Sequence, residues 1–249
     1  MAESLKGKVA VMTGVGSGFA KATAELFAEL DQVGLVLIDI NEAALKDTAA
    51  ACEAAGSKVV AFAGDVTKPE TFERALEETL DNFGKVDFLI NYAGGALKVA
   101  PIEEMDDEIN RRIIDLNLTS TIMSCRTFAP QFKKQGEGKI INVSSACDRR
   151  CWPGWSVYSA AKAGVHAFTK CLYTELRPHG ICATLLVPGG SNTGFQAAAD
   201  GVAPFEWDEA LAVRPEHFAD MVYQTCALTK GGCVTEMLVY GLAQDVSGY

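Results

Sequence analysis

Tyr158 and Lys162 stand four positions apart in "YSAAK", inside a helical pattern that covers 156–177. Side chains four apart project from one face of a helix, so we expect the phenol and the ammonium group to lie together. A phenol is a poor base at neutral pH, because its reference pKa is about 10. A neighbouring ammonium favours the phenolate, so the pair suits general acid–base catalysis. Taken alone, the spacing is better explained as the edge of an amphipathic helix, with Ser145 as a cap.

Apolar runs and helical patterns alternate along the whole chain. We expect strands at 8–13, 33–39, 58–66, 86–94, 138–145, 181–190 and 233–241. The helical patterns cover 19–30, 41–56, 68–84, 107–134, 156–177 and 215–229. Strands that are apolar on both faces and alternate with helices are typical of a parallel sheet covered on each side. Right-handed crossovers make such a sheet doubly wound, and we expect one α/β domain over 1–249.

A glycine-rich stretch, "TGVGSGFA", follows the first predicted strand. Its spacing is G-x-x-x-G-x-Ala through Gly14, Gly18 and Ala20, since Phe19 stands where G-x-G-x-x-G has its last glycine. Glycines let the backbone approach a pyrophosphate, and the following helix N-terminus offers unpaired N–H groups and a positive dipole. The stretch predicts a dinucleotide-binding loop, although a plain strand-to-helix turn also fits it.

Asp39 ends the second predicted strand, 25 positions after Gly14. An acidic side chain there can accept hydrogen bonds from both ribose hydroxyls of an adenosine, and it repels a 2′-phosphate. Positions 15–17 and 40–42 supply no Arg or Lys that could bind such a phosphate. These residues predict NAD rather than NADP as the cofactor.

With these features in order, the chain resembles the short-chain dehydrogenase/reductase family, in its compact branch, over essentially its whole length. The motifs are, in chain order, "TGVGSGFA", Asp39, "GDV" with Asp65, "NYAG" at 91–94, Asn117 in "DLNLTS", Ser145 in "INVSS", "YSAAK" at 158–162 and "PGGSNT" at 188–193. Each motif is weak alone, whereas the ordered set is specific. The resemblance implies a single-domain Rossmann-type fold with a seven-stranded parallel sheet and helices on both faces.

The resemblance also implies a catalytic set of Asn117, Ser145, Tyr158 and Lys162. Ser145 would hydrogen-bond the substrate oxygen, Asn117 would steady a proton-relaying water, and Lys162 would hold the nicotinamide ribose. The implied cofactor-binding residues are Gly14, Ser17, Gly18, Phe19, Asp39, Asp65, Val66, Asn91, Ala93, Gly94, Tyr158, Lys162, Pro188, Gly189, Ser191 and Thr193.

The substrate should lie beyond the carboxyl ends of the strands. We expect it to contact Gly95, Ala96, Ser145, Cys147, Trp152, Trp155 and Gly190. Trp155 either walls this pocket or packs on the end of the sheet. The segment 189–214 has no clear periodicity and is the candidate lid.

Arg149 and Arg150 form a basic doublet in the predicted substrate loop of an otherwise acidic chain. An arginine there could bind a carboxylate, phosphate or sulfonate of the substrate. The alternative, which we favour, is that at least one of them is a solvated surface or subunit contact.

The composition excludes several classes of protein. The 249 residues carry a formal net charge of −10, which argues against nucleic acid or an anionic membrane as partner. The N-terminus is unlike a signal peptide and no apolar run matches a membrane span, so we expect a cytoplasmic protein. Eight scattered cysteines without a CxxC pair indicate buried thiols rather than a metal site or disulfides, including Cys147 and Cys151.

The sequence therefore predicts an NAD-dependent oxidoreductase that interconverts a secondary alcohol and a ketone by hydride transfer. The alternatives are an NADPH-dependent 3-oxoacyl-carrier-protein reductase, which Asp39 disfavours, and a catalytically silent dinucleotide-binding protein. A sugar-nucleotide epimerase fits less well, because little chain remains after the sixth strand for a substrate domain. Family resemblance implies a homo-oligomer, a tetramer or else a dimer, packed through 107–134 and 156–177.

Overall fold

Seven parallel strands form one sheet in the computed structural model, which describes residues 3–191, 193–195, 198–202, 212–229 and 231–244. The strands are β1 (Val9–Thr13), β2 (Gly34–Asp39), β3 (Val59–Ala63), β4 (Phe88–Asn91), β5 (Gly138–Val143), β6 (Ile181–Pro188) and β7 (Glu236–Val239). Their order across the sheet is β3-β2-β1-β4-β5-β6-β7, and every neighbouring pair is parallel. The predicted doubly wound α/β fold is confirmed.

Helices cover both faces of the sheet. They are α1 (Gly18–Asp31), α2 (Glu42–Ala54), α3 (Pro69–Phe83), α4 (Asp107–Ile114), α5 (Ser120–Gln135), α6 (Ser156–Leu176) and α7 (Pro215–Cys226). Neighbouring residues of β1 point to opposite faces: Met12 belongs to a core with Phe27 and Phe218, and Val11 to a core with Phe128 and Phe132. Both faces are therefore apolar, as the unbroken hydrophobic runs of the strands predict. Within the described residues no helix is long and apolar enough to cross a bilayer.

The helix predicted over 107–134 is interrupted in its middle. Residues Asp115–Thr119 form a π-helical turn between α4 and α5. The Asn117 side chain donates a hydrogen bond to the Ile113 carbonyl at 2.8 Å, so it provides a partner for that carbonyl in place of a backbone amide. Single π turns inside α-helices are frequent at functional sites.

Two cysteines depart from the expectation of free thiols. Cys182 of β6 and Cys233, which precedes β7, are joined by a disulfide. The other six are free: Cys52, Cys125, Cys147 and Cys226 are buried, and Cys151 and Cys171 are exposed. Among the described residues, no three His, Cys, Asp or Glu side chains are grouped so that they could hold a metal ion.

The strand predicted at 233–241 contributes only Glu236–Val239 to the sheet. In front of it, the Thr184 hydroxyl donates to the Val234 carbonyl at 2.6 Å, which satisfies that acceptor with a side chain. The edge strand is consequently shorter than its apolar pattern suggests.

Helix α7 was predicted to continue to 229 but ends at Cys226. Lys139, at the start of β5, caps that end of the helix. Its ammonium group donates to the carbonyls of Thr225, Cys226 and Leu228 at 3.1, 2.7 and 2.8 Å. The Thr225 and Cys226 carbonyls are the last two of α7 and have no helical partner, and Leu228 lies two residues after the helix. Burial lowers the pKa of Lys139, the signature of an ammonium held away from water.

Replacing this lysine tests its role as a cap. Lys139→Met keeps the aliphatic stem and removes the three donors, and we expect it to lower the free energy of unfolding by about 1.5–3 kcal/mol. Lys133→Met, at an exposed position of α5, is the control and should leave stability within about 0.5 kcal/mol of wild type. Urea denaturation measures both, and equal effects would contradict the capping role.

Candidate active site

A cavity of about 780 Å³ opens where the strands end. Its lining includes Gly14 after β1, Gly95 after β4, Ser145 after β5 and Gly189 after β6. Each of these positions follows the carboxyl end of a parallel strand. This edge is where ligands bind in open α/β sheets.

Most of the predicted site residues line this cavity. Those from the catalytic set are Ser145, Tyr158 and Lys162; those from the predicted cofactor set are Gly14, Ser17, Gly18, Phe19, Gly94, Pro188, Gly189, Ser191 and Thr193. All seven residues predicted to contact substrate also line it: Gly95, Ala96, Ser145, Cys147, Trp152, Trp155 and Gly190. Segments that are far apart in sequence therefore converge as expected.

Six predicted residues lie outside the cavity lining: Asp39, Asp65, Val66, Asn91, Ala93 and Asn117. The Asp39 carboxylate accepts hydrogen bonds from the Gly16 and Asn41 amides, next to the glycine loop. The Asp65 carboxylate accepts from the amide and hydroxyl of Thr67 in its own turn. Both carboxylates therefore lie outside the cavity lining, and their contact with a cofactor stays a prediction.

The Asn91 side chain links neighbouring strands and helices by hydrogen bonds. It is buried, donates to Asn142 Oδ1 at 2.8 Å and accepts from the Ser124 hydroxyl at 2.8 Å. Asn142 in turn donates to Thr169 Oγ1 at 3.0 Å. This network joins β4, β5, α5 and α6 beneath the cavity, so the Asn91 side chain is used within the protein, and its contact with a cofactor stays a prediction.

Tyr158 and Lys162 both lie on α6 and are 5% and 4% exposed. The Lys162 ammonium donates to the Val143 carbonyl at 3.0 Å and lies 5.8 Å from the centroid of the Tyr158 ring. The Tyr158 hydroxyl is hydrogen-bonded to Ser145, whose hydroxyl oxygen accepts from the Cys147 amide at 3.2 Å. A phenol, a hydroxyl and an ammonium group thus converge at one end of the cavity.

The electrostatics of this cluster differ from the sequence-based expectation. Burial raises the pKa of Tyr158, the Cys147 thiol adds to that effect, and the Ser145 hydrogen bond opposes it. Burial also lowers the pKa of Lys162 to about 8. The predicted lowering of the phenol pKa is therefore not a property of the protein alone, because burial disfavours the charged phenolate.

Asn117 holds the chain that follows β4. Its Oδ1 accepts from the Gly95 amide at 3.1 Å, and its Nδ2 donates to the Gly95 carbonyl at 2.8 Å. The side chain is fully buried. A methyl group on Gly94 would lie 2.7 Å from Asn117 Oδ1 and 3.2 Å from the Lys162 ammonium. Asn117 therefore stands directly behind the cavity wall and within reach of the lysine.

Aromatic and aliphatic side chains line the part of the cavity around Tyr158. The Trp155 and Phe195 rings lie 5.7 and 5.5 Å from the Tyr158 ring. Trp155 therefore both walls the cavity and packs on Tyr158. The lining residues that sequence reasoning missed include Leu97, Leu116, Phe195, Ala198, Val202 and Gln244. Phe195 lies within the segment predicted as a lid. Gln244 follows the last strand and belongs to no sequence motif, so no sequence feature indicated that it would line the cavity.

The predicted lid at 189–214 is only partly described. Within it, the Asp200 amide donates to the Leu97 carbonyl at 2.9 Å, and the Val99 amide donates to the Asp200 carbonyl at 2.7 Å. The segment around 198–202 is thus held against the loop after β4. Positions 192, 196–197 and 203–211, with Trp207, lie outside the described residues.

The basic doublet after Ser145 has two different environments. Arg149 is held by Asp148 at 2.7 Å and by Glu236 of β7 at 2.5 Å, and the Asp148 carboxylate also lies 3.2 Å from His166 Nδ1. Arg150 lines the cavity. Both arginines are half-buried in the single chain, so neither is a fully solvated residue, and the alternative of a subunit contact stays a prediction.

Comparison with known proteins places the chain in a family. Residues 8–201 match the family model described as short chain dehydrogenase. The 3beta-hydroxysteroid dehydrogenase 1 of Eggerthella lenta is 34% identical over 199 residues, which cover 79% of this chain and 76% of that protein. The chain belongs to the short-chain dehydrogenase/reductase family.

Solved structures agree with this assignment. The 3-ketoacyl-(acyl-carrier-protein) reductase of Brucella melitensis, complexed with NADH, superposes with a TM-score of 0.86 at 30% identity, covering 96% of this chain and 98% of that one. An alcohol dehydrogenase of Thermococcus sibiricus, complexed with 5-hydroxy-NADP, gives a TM-score of 0.85 at 26% identity, with 97% and 99% covered. Similarity to these proteins supports a nicotinamide dinucleotide cofactor.

The glycine loop fits such a cofactor. Gly14 has a φ of +74°, and a methyl group there would lie 2.9 Å from Ala93 Cα, so the position accepts no side chain. Ser17 precedes α1 without a side-chain hydrogen bond to the helix, which leaves the first-turn amides of α1 available to a pyrophosphate.

Gly94 and Gly95 allow a matched test of whether the cavity wall in front of Asn117 shapes the predicted cofactor site. Gly94→Ala places a methyl against Asn117 and Lys162, so we expect NADH affinity to fall about 10-fold or more. Gly95→Ala is the control, because its methyl would meet only leucine carbons at 3.6 and 3.8 Å. Fluorescence titration with NADH measures both, and an unchanged affinity of Gly94→Ala would show that the wall does not shape the cofactor site.

Proposed function

We propose that this protein is an NAD-dependent dehydrogenase/reductase that interconverts a secondary alcohol and a ketone. The observation that carries the proposal is the convergence of Ser145, Tyr158 and Lys162 at one end of the cavity. A nicotinamide dinucleotide supplies the hydride chemistry, and the protein supplies proton transfer and orientation. As part of this proposal, 1–249 is one domain with a lid at 189–214, and the protein is a cytoplasmic homo-oligomer.

Tyr158 is the proton donor and acceptor in this proposal. Because burial keeps its pKa high, the hydroxyl is protonated at neutral pH and is ready to donate to a ketone oxygen during reduction. During oxidation it must instead take the proton of the alcohol. The Lys162 ammonium then favours the phenolate, together with the positive charge of an oxidised nicotinamide.

Ser145 and Lys162 orient the reacting groups. The Ser145 hydroxyl is hydrogen-bonded to the Tyr158 hydroxyl, so the two groups lie side by side. A substrate oxygen that replaces this contact would accept a hydrogen bond from each hydroxyl. Lys162 is fixed through the Val143 carbonyl and has donors left for the ribose of the nicotinamide half. Asn117 supports this arrangement from behind the wall through Gly95.

Asp39 supports NAD over NADP. Its carboxylate uses two of about four acceptor positions on the Gly16 and Asn41 amides, at 2.7 and 2.8 Å. The remaining positions can accept from the adenosine ribose hydroxyls, and the negative charge repels a 2′-phosphate. The relatives do not decide this choice, since the two solved structures carry NADH and 5-hydroxy-NADP.

Removal of the phenol hydroxyl tests the proposed chemistry. We expect Tyr158→Phe to lower kcat/KM about 10²–10⁴-fold for both alcohol oxidation and ketone reduction, because it removes the hydroxyl that gives and takes the proton in the proposal. A panel of secondary alcohols, ketones and a 3-oxoacyl thioester, followed by NADH absorbance, supplies the assay. The thioester separates a carrier-protein reductase from a small-ketone reductase.

Two further variants serve as a control for Tyr158→Phe and as a test of the role of Lys162. Tyr173→Phe makes the same change elsewhere on α6 and should leave the rates unchanged. Lys162→Met should move the rise of oxidation rate with pH to higher pH, because loss of the ammonium raises the pKa of the phenol. An active Tyr158→Phe enzyme would refute the proposal, and a protein that binds NADH without turnover of any compound would favour the silent alternative.

Charge at Asp39 tests the cofactor preference. We expect Asp39→Ser to raise the NADP-to-NAD ratio of kcat/KM by about 10-fold or more, since it removes the repulsion of the 2′-phosphate. A general loss of activity lowers kcat/KM with both cofactors equally, so it leaves the NADP-to-NAD ratio unchanged. Asp65→Ser is the matched control at the end of β3 and should leave the ratio unchanged. A wild-type enzyme that prefers NADP would overturn the argument.

A further inference from the structure

The turn that begins at Ser145 contains a buried acidic side chain, Asp148, that the proposed chemistry does not use. Asp148 is the last residue of the short helical turn Ala146–Asp148, and its backbone amide donates to the Ser145 carbonyl at 2.9 Å. Its side chain is 0% exposed. Burial of a carboxylate is costly unless donors surround it, so the partners of Asp148 indicate its role.

One partner of Asp148 joins the turn to helix α6. The Ser144 hydroxyl lies 2.9 Å from Asp148 Oδ2 and 3.1 Å from the Lys162 carbonyl oxygen, so its single hydrogen is placed between two acceptors. The Lys162 ammonium donates to the carbonyl of Val143, the residue before Ser144. Both the backbone and the side chain of Lys162 are thus bound to the segment that leads to Ser145.

The other partners of Asp148 are basic side chains. Arg149 Nε donates to Asp148 Oδ1 at 2.7 Å, and His166 Nδ1 of α6 lies 3.2 Å from Asp148 Oδ2. Arg149 also pairs with Glu236 of β7, and Glu236 lies 3.4 Å from the ammonium group of Lys170 on α6. Asp148 therefore lies at the centre of contacts that reach the end of β5, α6 and β7.

Asp148 also acts on the reacting groups through its charge. Burial lowers the pKa of Lys162 to about 8, whereas Cys147 and Asp148 act in the opposite direction. Burial raises the pKa of Tyr158, and Cys147 and Asp148 add to that effect. A negative charge favours an ammonium group and disfavours a phenolate, so both directions are those expected of a nearby carboxylate.

We propose that Asp148 is a positioning residue, which fixes the turn that carries Ser145 against the helix that carries Tyr158 and Lys162. This role rests on the proposed alcohol–ketone chemistry, in which those three side chains act together. Asp148 is absent from the cavity lining and acts through the Ser144 hydroxyl and through its own charge. An asparagine would fill the same space without the charge, and a carboxamide has half the acceptor oxygens for Ser144 and Arg149.

Substitution of Asp148 tests the positioning role. We expect Asp148→Asn to lower kcat/KM about 10–100-fold for oxidation and reduction, because small displacements of reacting groups have effects of this size. NADH affinity should stay within about threefold, since the glycine loop is unchanged. Ser144→Ala keeps the charge and removes the link to the Lys162 carbonyl, so we expect a smaller loss of kcat/KM, about 3–10-fold.

The control makes the same carboxylate-to-amide change at the other end of Arg149. Glu236→Gln leaves Asp148 with Ser144 and Arg149, so we expect kcat/KM within about threefold of wild type. Urea denaturation shows whether each variant is folded under the assay conditions, and Ser144→Ala decides the question if Asp148→Asn is not. Equal losses in Asp148→Asn and Glu236→Gln, or unchanged rates in Ser144→Ala, would overturn the proposed role.

Titration of Lys162 separates this role from the proposed chemistry. Nuclear magnetic resonance of protein with isotope-labelled lysine, with Lys162→Met to assign the signal, measures the pKa of Lys162 without substrate. We expect Asp148→Asn to lower this pKa from about 8, and Ser144→Ala and Glu236→Gln to leave it unchanged.

The two measurements together give distinct outcomes. A lowered pKa of Lys162 in Asp148→Asn together with the expected loss of rate supports the positioning role. If the pKa is lowered but wild type turns over no compound, the coupling of Asp148 to Lys162 stands and the proposed chemistry fails. A loss of rate without a change in the pKa of Lys162 would reduce Asp148 to a merely structural residue and refute the role.

Discussion

A lysine ammonium buried at the centre of the site is the constraint on which the surrounding structure depends. Lys162 is 4% exposed, and burial lowers its pKa to about 8. A buried charge is tolerated only with hydrogen-bond partners, and the Val143 carbonyl at the end of β5 supplies one. The sheet edge, the helix α6 and the glycine at 94 must all be placed so that this amine reaches the cavity without a side chain in its way.

Polar side chains of the neighbouring elements keep Lys162 and the chain around it in one position. The π-helical turn brings Asn117 against Gly94 and Gly95, and the buried Asn91 network joins the strands and helices beneath the lysine. These polar groups are satisfied by one another, which favours a single arrangement of the site. The Asp148–Arg149–Glu236 ion pairs hold the loop after Ser145 to β7 in the same way. Asn91, Asn117 and Arg149 thus hold the residues around Lys162 in place without lining the cavity themselves.

The cavity divides into a reacting end and an apolar end. Tyr158 belongs to both, because its hydroxyl meets Ser145 while its ring packs between Trp155 and Phe195. The same burial that raises its pKa also supplies the apolar surface for a substrate. In the proposed function, chemistry and substrate selection are thus coupled through one side chain.

The sequence by itself determined the fold class and the order of the elements, which follow from local periodicity. The grouping of Ser145 with Tyr158 and Lys162 was implied by the resemblance of its ordered motifs to a known family, and a parallel sheet brings such strand ends to one edge. The sequence did not determine the π turn or the disulfide, which depend on contacts between distant segments. Only the tertiary structure decided that Arg149 pairs with Glu236 while Arg150 enters the cavity, because adjacent side chains leave a tight turn in different directions.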